Sequence, residues 1–294
     1  MSPPITGFRL DAVHTFQVRT LRSLGYATRV ALSNASDTRA DFATAYRIDV
    51  SVYGPSHTRE RTFDDVARIE PRKKILIDCE QFVAGYDQDV ELVFHLIPLR
   101  LTASDGVVSI TREELFFLFT VQDHYVEYYR PDGFASGVLY QSGAFNYDKF
   151  SKDATSIIQA PKVYVGEQLD TIVSVMNSCP VPGYTRAAQF KCSLQHGTQR
   201  VTWTEELPPY TPVSISLRER ARTLTALDAE PAFLHFWGLC ETATLVPLTI
   251  NRDLRTGCIG IEHSLPPIYY ATSVTGKLRA RAIAGFTQSE VWKA

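Results

Sequence analysis

The chain has 294 residues, 45% of them hydrophobic and 21% charged, enough to bury a sizeable core as one large domain or two ordinary ones. Thirty Lys and Arg against thirty-two Asp and Glu leave a formal charge of -2, which removes the electrostatic footprint of a general nucleic-acid binder. No apolar run approaches the roughly 18–20 residues that span a bilayer, and residues 1–10 lack the basic flank and apolar core of a secretory signal, so the expected location is the cytoplasm.

Along the chain the recurring period is two, with β-branched and aromatic residues set between clusters of Gly, Pro, Asn, Asp and Ser. Strands are predicted over residues 14–20 and 28–32, then over Tyr46–Tyr53, where Ile48, Val50 and Val52 alternate with Arg47, Asp49 and Ser51 before Gly54-Pro55 turns the chain. That strand reads as half-buried. Residues 73–79 set Ile75, Ile77 and Cys79 against Lys74, Leu76 and Asp78, and the apolar run 90–101 suits a strand covered on both faces. Within that run His95 reads as a core histidine. Thr111 followed three residues later by Glu114 is a capping-box pattern for a short helix.

Residues 122–150 hold eight aromatics in twenty-nine positions, interleaved with Asp123, His124, Glu127, Arg130, Gln141 and Asn146. Aromatic area mixed with acids and amides suits stacking on a flat or sugar-like ligand, fixed in place by directional hydrogen bonds. The competing reading is a pair of strands joined at Arg130-Pro131-Asp132-Gly133, with tyrosines packed across strands. The candidate ligand-binding residues are Asp123, Tyr125, Glu127, Tyr128, Arg130, Tyr140 and Gln141. On this view Tyr128→Ala or Tyr140→Ala weakens binding and leaves the melting temperature nearly unchanged.

Strands are next predicted over 138–142, Leu169–Met176, 187–194, 199–204, 213–216, 242–250 and 258–263, with a surface helix over 217–227. His235, in the apolar run 233–237, reads as a core histidine. Two echoes suggest duplication: Leu32-Ser33-Asn34 and Val175-Met176-Asn177, 143 residues apart, and Leu96-Ile97-Pro98-Leu99 and Leu245-Val246-Pro247-Leu248, 149 apart. The junction then falls within 148–162, giving domains 1–150 and 151–294. After Tyr270 the tail is basic; it either packs back on its own domain or is exchanged between subunits.

Cys79, Cys179, Cys192, Cys240 and Cys258 are odd in number and nowhere at the two-residue spacing of zinc or redox sites, so they read as free thiols. Cys79 and Cys240 each precede a glutamate, which raises a thiol pKa and argues against an activated nucleophile. No glycine-rich phosphate loop, dinucleotide fingerprint or Gly-x-Ser-x-Gly elbow occurs.

The expected fold is all-β: two tandem antiparallel β-sandwich domains with a few short helices. The leading functional reading is a non-enzymatic binding or assembly module for a polar small molecule, a glycan or a protein partner, needing no cofactor. Its rival is an enzyme that uses a divalent metal held by His124, Glu127, Glu262 and His263. A third reading is a homo-oligomer built through sheet edges and the tail.

Overall fold

A computed structural model describes residues 5–9, 15–34, 43–101, 107–110, 122–141, 156–177, 185–224, 230–241, 245, 247–263, 281, 284–285 and 287–292. The chain divides into two compact units, Met1–Lys152 with Ser178–Thr185 and Tyr210–Pro212, and Asp153–Asn177 with Arg186–Pro209 and Val213–Ala294. The first unit contains β1 (Ile5–Arg9), β2 (Thr15–Arg19), β3 (Ala27–Asn34), β4 (Tyr46–Tyr53), β5 (Arg59–Ile69), β6 (Lys74–Asp78), β7 (Glu91–Pro98), β8 (Val107–Ile110), β9 (Gln122–Tyr129) and β10 (Ala135–Gln141). The second contains β11 (Ser156–Val165), β12 (Leu169–Met176), β13 (Ala188–His196), β14 (Gln199–Leu207), β15 (Pro212–Ser216), α1 (Leu217–Ala221), β16 (Ala232–Cys240), β17 (Leu248–Asp253) and β18 (Ile259–His263).

The protein is all-β, as the alternation predicts. The first unit pairs a sheet ordered β2-β7-β4-β5 with one ordered β10-β9-β3-β6, beside the small β1-β8 ribbon; the second pairs β11-β16-β13-β14 with β15-β12-β17-β18. Matching β11 through β18 in turn to β2, β3, β4, β5, β6, β7, β9 and β10 makes the two strand orders the same. In the second unit, Phe190, Cys192, Leu194, Leu234 and Phe236 of one sheet pack on Val173, Val175, Val213 and Ile215 of the other. In the first, Phe16 of β2 stacks on Phe94 of its own sheet at 5.0 Å and on His124 of the other at 3.7 Å.

The asparagine echo marks equivalent places. Asn34 closes β3 and donates from Nδ2 to the carbonyls of Thr44 and Ile69; Asn177 follows β12 and donates to those of Arg186 and Leu207. Each amide ties the end of one strand to the start and finish of the next hairpin, and both residues are buried. The proline echo does not hold: Pro98 ends β7 and Pro247 precedes β17, strands that occupy different positions in the shared order. Aspartate at either asparagine would replace two donors with lone pairs facing carbonyls. Asn34→Asp and Asn177→Asp should each cost about 2–4 kcal/mol, counting a net loss at each carbonyl, read as a fall in the unfolding midpoint.

Tyr46–Tyr53 is a strand, but it is buried on both faces rather than one. It lies inside its sheet between β7 and β5, and Asp49 is satisfied within the fold by Arg47 and the Asp65 amide. The 217–227 helix is shorter than expected. Ser216 caps it by accepting from the Glu219 amide, while Leu217 and Ala221 supply its buried face and Leu224, just beyond its end, is buried as well. The Thr111–Glu114 pattern lies outside the described residues. Of the tail, Trp292 packs against the cluster of Ile157 and Leu239, and Arg200 donates to the Glu290 carbonyl, so this part returns to its own unit. Among the described residues no helix is long and apolar enough to cross a membrane.

Candidate functional site

Of the segment singled out for its aromatics, residues 122–141 fold as the β9–β10 hairpin, and Phe145, Asn146, Tyr147 and Phe150 lie outside the described residues. The hairpin turn is fixed by Gly133 at φ 87°, by the Gly133 amide donating to the Arg130 carbonyl, and by Asp132, which accepts from Arg130 and from the Phe134 amide. Those contacts, the Arg130 hydrogen bond first, hold the Asp132 carboxyl below its usual range. The Arg130 guanidinium lies 5.3 Å from the Tyr26 ring and 5.4 Å from that of Phe134. It is thus engaged at the turn, away from Tyr125.

Alternation along β9 divides the remaining candidates. His124, Val126 and Tyr128 face the sandwich interior and are buried. Tyr128 is therefore a core residue and not a ligand contact: its ring is wholly enclosed, its hydroxyl donates to the Arg19 carbonyl at 2.7 Å, and burial pushes its phenol pKa well up. Register places Tyr140 opposite His124 and Gln141 opposite Asp123; the side chains of Asp123, Tyr140 and Gln141 lie outside the described set.

Tyr125, Glu127 and Tyr129 occupy the outer face. Register builds rows across the sheet: Leu139, Tyr125, Ala31 and Leu76 in one, and Gly137, Glu127, Arg29 and Asp78 in the next. The small Ala31 leaves a shallow floor between Tyr125 and Leu76, which are two strands apart, about 10 Å by ordinary strand spacing. Both are exposed, Tyr125 at 38% and Leu76 at 60%. The Tyr125 hydroxyl reaches across to Gly137, sitting 2.2 Å from where a Cβ would stand, so only glycine lets the ring lie down on β10. At one end of the floor Arg29 pairs with Glu127 at 2.5 Å and lies 4.8 Å from the Tyr129 ring. The hydrogen bond that Arg29 donates to Glu127 raises the Arg29 pKa further.

This face combines one lying aromatic ring, one aliphatic wall and a half-exposed guanidinium–carboxylate pair. It can stack on a ring and exchange hydrogen bonds with hydroxyls at the ring edge. Arg29 and Leu76 were missed from sequence because they come from β3 and β6, distant in the chain; only the strand pairing brings them to Tyr125.

Of the proposed metal ligands His124, Glu127, Glu262 and His263, the side chains of the first three are described. His124 and Glu127 project from opposite faces of β9, and Glu127 is held by Arg29. In the second unit Glu262 accepts from Lys162 at 2.8 Å, and the His263 side chain lies outside the described set. Among the described residues no three His, Cys, Asp or Glu side chains come together as a metal site. Cys79, Cys192 and Cys240 are buried and Cys258 is exposed. Burial, then Asp78 and Glu80, push the Cys79 thiol up, and burial does the same at Cys192.

No protein-family model matches the chain, and no curated protein matches it. Solved structures similar to it include Bacteroides uniformis beta-glucuronidase 2 (9% identity, 85% of this chain and 25% of that one, TM-score 0.18). Streptomyces avermitilis alpha-L-rhamnosidase is similar at 9% identity, over 86% of this chain and 26% of that one, with a TM-score of 0.21. A Pleurotus ostreatus lectin is similar at 8% identity, over 90% of this chain and 87% of that one, also with a TM-score of 0.21. The chain spans about a quarter of the length of the two glycosidases. TM-scores of this size leave the fold and the site to be read from the strands themselves.

Proposed function

We propose that the chain is a binding module whose outer β10-β9-β3-β6 face takes a glycan. The observation that carries this is the pairing of exposed Tyr125 and Leu76 across Ala31, beside the Arg29–Glu127 pair. A pyranose has an apolar face of C–H groups and a rim of hydroxyls. The first matches the Tyr125 ring and the Leu76 side chain; the second matches a guanidinium that donates and a carboxylate that accepts. A wholly apolar ligand would leave the ion pair unused, and a wholly charged one would leave Tyr125 and Leu76 unused.

The test is retention of the labelled full chain on a glycan array, followed by titration with the free oligosaccharide retained best. Tyr125→Ala should weaken binding about tenfold or more, the loss of roughly 1.4 kcal/mol, with an unchanged melting temperature because the ring contributes little to the interior. Retention no better than on a sugar-free surface, or a Tyr125→Ala titration equal to the parent's, would remove this reading.

A further inference from the structure

Four large hydrophobic residues are exposed among the described residues, and they fall into two pairs: Leu76 with Tyr125 in the first unit, Tyr164 with Phe233 in the second. The second pair belongs to no feature described so far. Tyr164 and Phe233 are direct register partners on β11 and β16, with ring centroids 5.5 Å apart. Phe233 in turn meets His235 edge-on at 5.3 Å. His235, expected in the core, is exposed, because alternation along β16 buries Leu234 and Phe236 and turns Phe233 and His235 outward.

The outward stripe continues along β16 through Trp237 and Leu239, and there the C-terminal turn covers it, Trp292 packing with Trp237 against the buried Ile157 and Leu239 cluster. The stripe is thus closed at one end by its own chain and open at the Tyr164–Phe233–His235 end. A register irregularity in β11 between Ala160 and Val163 lies beside the open end, and bulges commonly re-aim side chains next to binding sites.

The fold itself does not require aromatics here. Tyr46 pairs with Ile69 and Ala188 with Leu207, at the places the two asparagine amides tie. Counting seven residues on from each, Tyr53 pairs with Glu91 and Gln195 with His235, so His235 stands where the first unit has Glu91, and Phe233 where it has Asp89. Those two carboxylates are buried and engage Arg19, with Ser23 also bonding Asp89. One strand order accepts a buried ion network in one unit and exposed rings in the other.

We infer that Tyr164, Phe233 and His235 form a second carbohydrate-binding platform, separate from the Tyr125 face and taking a single pyranose ring of a glycan. The exposed apolar part of the patch is two rings, Tyr164 at 38% and Phe233 at 46%, an area that matches one sugar ring and is far below the roughly 800 Å² a side of a standard protein interface. The C–H face of such a sugar covers Phe233, and its hydroxyls reach the Tyr164 hydroxyl and the His235 ring nitrogens at the border.

The experiment is calorimetric titration of the full chain with cellohexaose, maltohexaose, xylohexaose and chitohexaose, using the parent, Phe233→Ala, Tyr164→Ala and Tyr125→Ala. The expected result is a hexaose for which Phe233→Ala weakens one set of sites about tenfold or more, with Tyr164→Ala acting in the same direction and the melting temperature held. Tyr125→Ala should leave that set intact. Unchanged binding in Phe233→Ala with loss in Tyr125→Ala overturns the second platform and keeps the first. Loss in Phe233→Ala with none in Tyr125→Ala does the reverse. No heat from any hexaose with the parent overturns the platform.

Discussion

Tyr128→Ala should unfold the first unit far more readily than Tyr125→Ala, although the two residues are three apart on one strand. Removing a fully buried aromatic ring costs about 3–5 kcal/mol through lost burial and the cavity left behind. Here the ring is completely enclosed and its hydroxyl donates to the Arg19 carbonyl, so the substitution also deprives that carbonyl of its partner. Tyr128→Phe separates the two contributions, since it keeps the ring and should lose about 1 kcal/mol for the hydrogen bond alone. Chemical denaturation of the three variants, with the slope against denaturant checked for constancy, measures both differences.

The second large effect is expected at Asp170, whose carboxylate is 2% exposed and organises one end of the second unit. It accepts from Arg252 at 2.8 Å, from the Ser216 hydroxyl at 3.0 Å and from the Arg218 amide at 3.1 Å. The Arg218 side chain then reaches the carbonyls of Gly166 and Glu167 in the turn before β12. One carboxylate thus links β12, β17, the β15–α1 junction and that turn. Asp170→Ala removes the carboxylate that the Arg252 guanidinium, itself 18% exposed, donates to and unties the helix start, a loss of about 3–5 kcal/mol. Asp170→Asn should cost less, because the amide oxygen still accepts from Ser216 and Arg218. Equal midpoints for Asp170→Ala and the parent in thermal unfolding would show that the network is dispensable.

Alternation made the architecture readable where one face of a strand is wet. Residues 73–79 are an example: Ile77 and Cys79 are buried, while Leu76 stands out as the pattern requires. It failed where a strand is uniform. The charged β5, Arg59–Ile69, is an edge strand exposed on most of its length and carries no alternation to read. In β16 both faces are apolar, so period two gave no sign that Phe233 and His235 point outward. Alternation puts Tyr125 and Tyr128 on opposite faces of β9 but does not say which of the two faces is inward, which is why Tyr128 was grouped with Tyr125. Register is what parity needs, and the Arg130–Phe134 turn supplies it. The asparagine echo was legible because a buried amide that ties two carbonyls tolerates few replacements. The proline echo was four residues of common type with no such constraint.

Hydroxyl-radical footprinting of the full chain, resolved to single tyrosines by fragmentation, tests most directly whether β9 presents Tyr125 as a recognition surface. It is run with and without the oligosaccharide best retained on the array. In the free protein Tyr125 should be oxidised readily and Tyr128 hardly at all, and the sugar should protect Tyr125. Oxidation of Tyr125 at the same rate with the sugar bound, or of Tyr128 as fast as Tyr125 in the folded chain, would contradict the account.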